Sequence, residues 1–286
     1  VENRTATVAF TAAAGWALSV VYDDAESAAD WLTVTPASGT AGEQTVELSA
    51  TRNYRTSART AYADLACGEQ SVRLTVTQAA ASDDTDFTTL FDPDFAKELR
   101  KQGIIADAEN ITPEDMEKIA TMTELDVSGT YENPGTLTSL QGIEYFESLT
   151  QLSCYYNQLT TLDISANTAL TELYCYGNQL TSLDVSANMA LTWLSCSYNS
   201  LETLDISKNT ALTWLDCSSN SLTTLDVSAN TALTWLSCEN NPGDRESKFP
   251  ITAWFDNDTK PDNLEIYQGQ WTYDGKTITI DFRKAE

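Results

Sequence analysis

The chain has no histidine among its 286 residues. That absence removes the commonest general base, the Ser-His-Asp and Cys-His sites and every histidine-bearing zinc site. Enzymes built on paired carboxylates survive the exclusion. Positive charge is scarce too: 16 basic residues stand against 42 acidic ones, a formal net charge of -26. Such a field repels nucleic acid and anionic membranes and attracts cations or basic protein surfaces, unless it serves solubility alone. No apolar run approaches the roughly 20 residues that span a bilayer. The chain opens on Val1, with no basic-then-apolar leader behind it. Either a signal peptide has been removed or the chain was cut from a longer one.

What is present is a clock. Cys154, Cys175, Cys196, Cys217 and Cys238 recur every 21 residues inside the pattern L-x-x-L-x-C-x-x-N-x-L-x-x-L-D-x-S-x-N, from Leu149 to Asn241. A fixed period of this size is the signature of a solenoid, here of leucine-rich-repeat form with cysteine in the third apolar position. Leu152, Cys154 and Leu159, with their copies, are expected to point inward. Asn157, Asn178, Asn199, Asn220 and Asn241 sit where the chain leaves each strand, and their amides can bond the backbone groups that the bend strands. A second ladder runs through Leu162, Ile164 and Asn167. Asp163, Asp184, Asp205 and Asp226 are expected at turns on the outer face.

Cysteine packs as a small hydrophobe. In-register neighbours lie about 4.8 Å apart, farther than the ~3.8 Å that disulfide Cβ atoms prefer, and five positions cannot pair evenly. The expectation is a ladder of reduced thiols; disulfides or a metal cluster are the rivals. Metal ligands converge on a point rather than string along a line. Cys67, outside the array, is expected to be a buried core thiol.

Period-two alternation turns the other strand residues outward on a parallel concave sheet. One outward column reads Gln151, Glu172, Trp193, Trp214, Trp235. The next reads Ser153, Tyr174, Ser195, Asp216, Ser237, and the third Tyr155, Tyr176, Ser197, Ser218, Glu239. Neither a core nor a turn needs three tryptophans side by side. Exposed apolar patches mark interaction sites, and aromatics are over-represented at hot spots. The candidate ligand-binding residues are therefore Trp193, Trp214, Trp235, Tyr155, Tyr174, Tyr176, Glu172, Asp216 and Glu239. The competing reading is that the aromatic C-terminal segment (Trp254, Phe255, Tyr267, Trp271, Tyr273, Phe282) covers the strip.

The remaining chain has other grammars. Residues 1–80 alternate in ATVAF, WALSV, TVELSA and SVRLTV, which reads as an all-β sandwich with Trp16 and Trp31 in its core. The stretch DWLTVTPASGTAGEQTVELSATRN, then ARTAYADL and VTQ, resembles a BACON domain, which implies an immunoglobulin-like fold and a role in carbohydrate binding or as a spacer. Residues 81–89 read as a short solvated linker. In residues 90–148, Asp92-Pro93 opens a helix running to about Gln102 with Gly103 as its stop, and Thr112-Pro113 opens a second. The loop between them is shaped like an EF-hand but puts Ile104, Ala106 and Ala108 at ligand positions, so no calcium is expected there. The two helices read as a cap over the end of the repeat core. One longer repeat, with Leu125 and Leu152 27 residues apart, joins it to the 149–241 array.

The helices, the SLQGIEYF phrase and the cysteine-bearing repeats resemble an internalin-type leucine-rich-repeat protein over residues 90–241. That resemblance implies a bacterial surface protein whose concave face binds a receptor or glycan. Residues 242–286 read as a β-rich C-terminal cap in which WTYDGKTITIDF turns at Asp-Gly. FDNDTKPDN could hold a cation or be a solvated loop. The function expected is a non-catalytic surface protein binding a protein or peptide, with carbohydrate capture and a purely structural spacer as alternatives. A two-carboxylate glycosidase is disfavoured because an open, wet face does not raise carboxylate pKa values. No catalytic residue, cofactor, metal, nucleic acid or transmembrane segment is expected. The chain should be a monomer, extracellular or on the outer cell surface, with a signal peptide removed and a lipid anchor as one means of attachment.

Overall fold

A computed structural model describes residues 5–23, 31–51, 53–82 and 86–285. The chain divides into two compact units: residues 1–86 with 112–117, and 87–111 with 118–286. Residues 83–85 of the expected linker lie outside the described set. Phe87, placed in that linker by the sequence, is wholly buried, because its ring outweighs the polar residues around it.

In the first unit, β1 (Thr5–Ala12), β5 (Gly42–Ala50) and β3 (Leu32–Thr35) form one antiparallel sheet. The strands β4 (Ser38–Gly39), β2 (Trp16–Tyr22), β6 (Arg59–Cys67) and β7 (Gln70–Gln78) form another. Trp16, Leu18, Ala61 and Ala63 from the second sheet share one core with Leu32, Val46 and Leu48 from the first. The two sheets therefore contribute to one core, and Trp16 and Trp31 are buried in it. Cys67 departs from expectation. It ends β6 half-buried at the rim of this core, its thiol 3.7 Å from the Ala14 carbonyl oxygen.

Helix α1 (Pro93–Lys101) starts where Asp92 accepts hydrogen bonds from the amides of Asp94 and Phe95. It stops at Gly103 (φ 70), where Gly103 N–H bonds Arg100 O and Ile104 N–H bonds Leu99 O, the paired closure of a Schellman motif. Its buried face sets Phe95 against Phe146, beside the first repeats. Helix α2 (Pro113–Thr121) opens with a capping box: Asp115 N–H donates to the Thr112 hydroxyl, and Thr112 N–H donates to the Asp115 carboxylate.

The repeats coil as the period demands. Strands β8 (Glu124–Asp126), β9 (Gln151–Ser153), β10 (Glu172–Tyr174), β11 (Trp193–Ser195) and β12 (Trp214–Asp216) run parallel, one residue triplet per coil. After β13 (Leu225–Asp226) on the other side of the coil, β14 (Trp235–Ser237) continues the series. Leu125 pairs with Leu152, so the 27-residue repeat keeps register by bulging elsewhere. Inside, all five ladder cysteines are buried free thiols. Burial pushes the Cys154 thiol up to about 12, and the others are raised for the same reason.

The asparagines bridge coils. Asn220 Nδ2 donates to Cys196 O and Cys217 O while its Oδ1 accepts from Leu201 N, and the same three bonds recur at Asn178, Asn199 and Asn241. The second ladder, Asn167, Asn188, Asn209 and Asn230, donates to carbonyls of the preceding coil. Asp163, Asp184, Asp205 and Asp226 each accept from the serine amide two residues on, closing exposed turns.

Beyond the array, β15 (Lys248–Ala253), β17 (Gln270–Tyr273) and β18 (Lys276–Lys284) join β13 in a four-stranded sheet. Asp274 and Gly275, both at positive φ, make the expected two-residue turn between β17 and β18. The short strand β16 (Glu265–Ile266) pairs parallel with β14 and becomes the seventh strand of the parallel repeat sheet.

Candidate concave binding face

Strand alternation places Trp193, Trp214 and Trp235 directly opposite one another in the parallel ladder. All three are half-buried. Their rings stack: centroids are 4.1 Å apart with planes 11° off parallel for Trp193–Trp214, and 4.3 Å and 1° for Trp214–Trp235. The spacing of the strands leaves the indoles little alternative, since neighbours about 4.8 Å apart are already near ring-stacking distance. Tyr174 closes one end of the stack at 6.2 Å and Tyr267 the other at 6.1 Å. The faces of the rings are thus turned to each other, and the Trp193 indole N–H is buried without a hydrogen-bond partner among the described residues.

Among the described residues, most ring contacts of the C-terminal aromatics lie away from this strip. Phe255 packs on Phe282, Trp271 packs on Phe249 and donates its indole N–H to Asn241 O, and Trp254 meets Phe255. Of the six aromatics expected as a cover, Tyr267 is the one with a ring contact to the stack among the described residues, and it sits at the end rather than on top.

A second aromatic group lies towards the N-terminal strands. Tyr155 and Tyr176 stack at 4.5 Å and 6°. Tyr156 meets both edge-on, and Tyr131 caps Tyr156. Glu172 and Tyr174 are joined by a hydrogen bond from the phenol to the carboxylate at 2.8 Å. Burial and then that carboxylate push Tyr174 up to about 12; burial and then Tyr155 do the same for Tyr176. Both phenols are therefore neutral hydrogen-bond donors at ordinary pH.

The candidate residues do not all end in the same environment. Asp216 is half-buried, with one oxygen accepting from Ser218 N–H and the Ser218 hydroxyl. Glu239 is buried and takes a hydrogen bond of 2.6 Å from the Ser237 hydroxyl. The outward-facing serines Ser195, Ser197, Ser218 and Ser237 are also buried, because short side chains are shadowed by the aromatic and acidic neighbours around them. The tryptophan stack thus stands as a wall beside a floor of small hydroxyls.

Charge on this face has one sign. Across the three outward columns, extended by Glu124, Asp126, Ser128, Glu265 and Tyr267 at the added strands, there are six carboxylates and neither lysine nor arginine. The first column reads Glu124, Gln151, Glu172, Trp193, Trp214, Trp235, Glu265, so the stack is bracketed by Glu172 and Glu265.

Sequence reasoning missed two periodic features. The first is a threonine ladder at the strand entrance: Thr171, Thr192, Thr213 and Thr234 each donate their hydroxyl to the carbonyl of the threonine one coil earlier. The second is a left-handed residue in every coil, at Tyr156, Gly177, Tyr198, Ser219 and Asn240. At Gly177 a Cβ would lie 2.5 Å from the Tyr156 ring, so glycine there serves both φ and the tyrosine cluster. No group of three or more Cys, Asp or Glu able to hold a metal occurs among the described residues. In the FDNDTKPDN loop, Asp256 spends its oxygen on Asp258 and Thr259, and Asn257 spends its amide on Asp281 and the Phe282 N–H. No helix among the described residues is long and apolar enough to cross a membrane.

Comparison with known proteins places these features. Residues 1–81 match the family model of the viral BACON domain, and residues 147–188 match that of leucine-rich repeats in two copies. No curated protein matches the chain. Among solved structures, the functional domain of InlJ from Listeria monocytogenes, described as including a cysteine ladder, is 38% identical over 59% of this chain and 38% of its own, with a TM-score of 0.49. The leucine-rich-repeat protein LIC12759 of Leptospira interrogans is 31% identical over 46% of this chain and 35% of its own, TM-score 0.40. The internalin InlF of Listeria monocytogenes is 22% identical over 60% of this chain and 58% of its own, TM-score 0.43. The chain thus spans well under half the length of the first two. Residues 1–81 thus carry a BACON domain and residues 147–188 leucine-rich repeats, and the cysteine-bearing coils are similar to those of internalin-type proteins with a cysteine ladder.

Proposed function

We propose that this is a non-catalytic binding protein of the cell exterior whose concave sheet captures a protein or peptide, with the BACON domain serving as a spacer. The observation that carries the reading is the half-exposed stack of Trp193, Trp214 and Trp235, which the core does not require. An exposed, rigid aromatic strip offers contact area at little entropic cost, because stacking already fixes the rotamers that binding would otherwise freeze.

Carbohydrate capture fits less well. Sugar rings pack on open aromatic faces, whereas each face in this stack is turned to another ring. The edges are left, and they suit apolar side chains.

A peptide-display selection tests the reading. Peptides enriched on the full-length protein should lose at least tenfold in affinity for a Trp193→Ala, Trp214→Ala, Trp235→Ala triple variant that keeps its far-UV spectrum. Undiminished binding by that variant would place the site elsewhere.

A further inference from the structure

The first outward column carries a spacing as well as a composition. Glu172 and Glu265 lie on the strands that flank the tryptophan stack, with β11, β12 and β14 between them. Four strand intervals of about 4.8 Å separate them by about 19 Å. An extended or polyproline-type chain advances about 3.1–3.4 Å per residue, so about six residues cover that distance. Glu265 is exposed, and Glu172 is half-buried and held in place by the Tyr174 phenol. No basic residue in the outward columns neutralises either of them.

We infer that the occupant of this face is an extended protein segment lying along the solenoid axis, with two cationic side chains about six residues apart that reach Glu172 and Glu265 while the residues between them pack on the indole edges. The inference rests on the concave-face reading proposed above and adds the partner's charge and spacing to it. Charge complementarity selects this occupant: six carboxylates and no cation on the outward columns disfavour an acidic partner, and the -26 net charge disfavours a second copy of the same chain. The aliphatic stems of lysine or arginine can lie along the outer indoles while their heads reach the flanking carboxylates.

Rigid ruler peptides test it on the full-length protein. Each carries two lysines separated by two, five or eight prolines, with a fluorescent label, and binding is read by anisotropy at low salt. The five-proline ruler should bind at least fivefold tighter than either of the others. Glu172→Gln and Glu265→Gln should each cost that ruler about three- to fivefold, as one half-exposed ion pair does, and should level the three affinities. Trp214→Ala should weaken all three peptides. Equal affinity for the three rulers, or affinities indifferent to both glutamine variants, would overturn the inference while leaving the concave face in place provided Trp214→Ala still weakens binding. Binding that Trp214→Ala leaves intact would remove the concave-face reading as well, and failure of every ruler to bind would overturn the inference outright.

Discussion

Replacing Asn220 with alanine isolates what the asparagine ladder contributes. Asn220 is buried, and its amide makes four bonds: donations to Cys196 O at 3.0 Å, Cys217 O at 3.1 Å and Ser218 O at 3.1 Å, and acceptance from Leu201 N at 2.9 Å. The loss is unequal among the four. Cys196 O keeps a second donor in Asn199 Nδ2, Cys217 O keeps one in Asn241 Nδ2, and Ser218 O keeps the Tyr198 N–H. Each carbonyl therefore forfeits only one net hydrogen bond, about 1 kcal/mol. Leu201 N–H is left with no acceptor in a dry interior, which costs about 1–3 kcal/mol. The sum is about 4–6 kcal/mol, a large share of the ~5–15 kcal/mol that holds an ordinary domain together. With a urea m-value of about 2–3 kcal/mol per molar, the unfolding midpoint should fall by about 1–3 M. Thr210→Ala, at an exposed position, is the control and should change little. Asn220→Asp keeps the acceptor for Leu201 but sets a carboxylate against three carbonyl oxygens. Its penalty should shrink as pH falls and the acid takes up a proton to donate. A loss below 1 kcal/mol in Asn220→Ala would refute the claim that these amides hold the coils in register.

Further tests follow from the same geometry. The ladder thiols should resist alkylation in the native protein at pH 8, leaving half-buried Cys67 as the residue labelled. Their native pKa values lie above the unfolded value, so the stability they confer is complete below about pH 8.5 and is lost as pH rises through the raised values, about 12 for Cys154. Replacing several of them with alanine should therefore move the midpoint of alkaline unfolding to higher pH, once the loss of packing at neutral pH is subtracted. At the left-handed position of each coil, Gly177→Ala should destabilise by about 1–2 kcal/mol and disturb the Tyr155–Tyr176 stack, read by near-UV circular dichroism. Tyr198→Gly, at φ 52 and largely exposed, should cost nothing or stabilise slightly in a thermal melt.

The sequence made the periodic half of the molecule readable because a solenoid turns sequence distance into spatial contact. Twenty-one residues predicted sulfur beneath sulfur and indole beside indole, and the ladder registers are those pairings. Local signals were as good where one residue controls the geometry: Asp92 and Gly103 bound α1, and Asp274-Gly275 turns β17 into β18. Non-periodic pairings were not legible. Glu265–Ile266 joins the parallel repeat sheet 30 residues beyond the triplet it pairs with, with no leucine pattern to announce it. Nor does a column of residue types specify ring orientation. The tryptophans could have splayed; strand spacing makes them stack, and that fixes which part of each ring a ligand meets. The burial of Glu239 and the floor serines likewise depends on neighbours one coil away, whose bulk alternation along a single strand does not record.

Core and surface share one spacing but answer to different constraints. Inward positions repeat Leu, Leu and Cys because each must fill the same slot between the coils on either side. Outward positions meet no such slot, and most of them vary from coil to coil between acid, serine and tyrosine. Three consecutive tryptophans in one outward column are therefore information that packing does not supply. A partner that merely needed grease could be served by leucines anywhere on the face. What the column offers instead is a stack that cannot rotate, because each ring wedges the next, set between two carboxylates whose separation is fixed by the number of strands. Inserting one 21-residue coil without tryptophan between β12 and β14 would leave every inward contact intact. It would split the stack and lengthen the Glu172-to-Glu265 distance by about 4.8 Å. A partner held by area alone would tolerate that change, and one held by spacing would not.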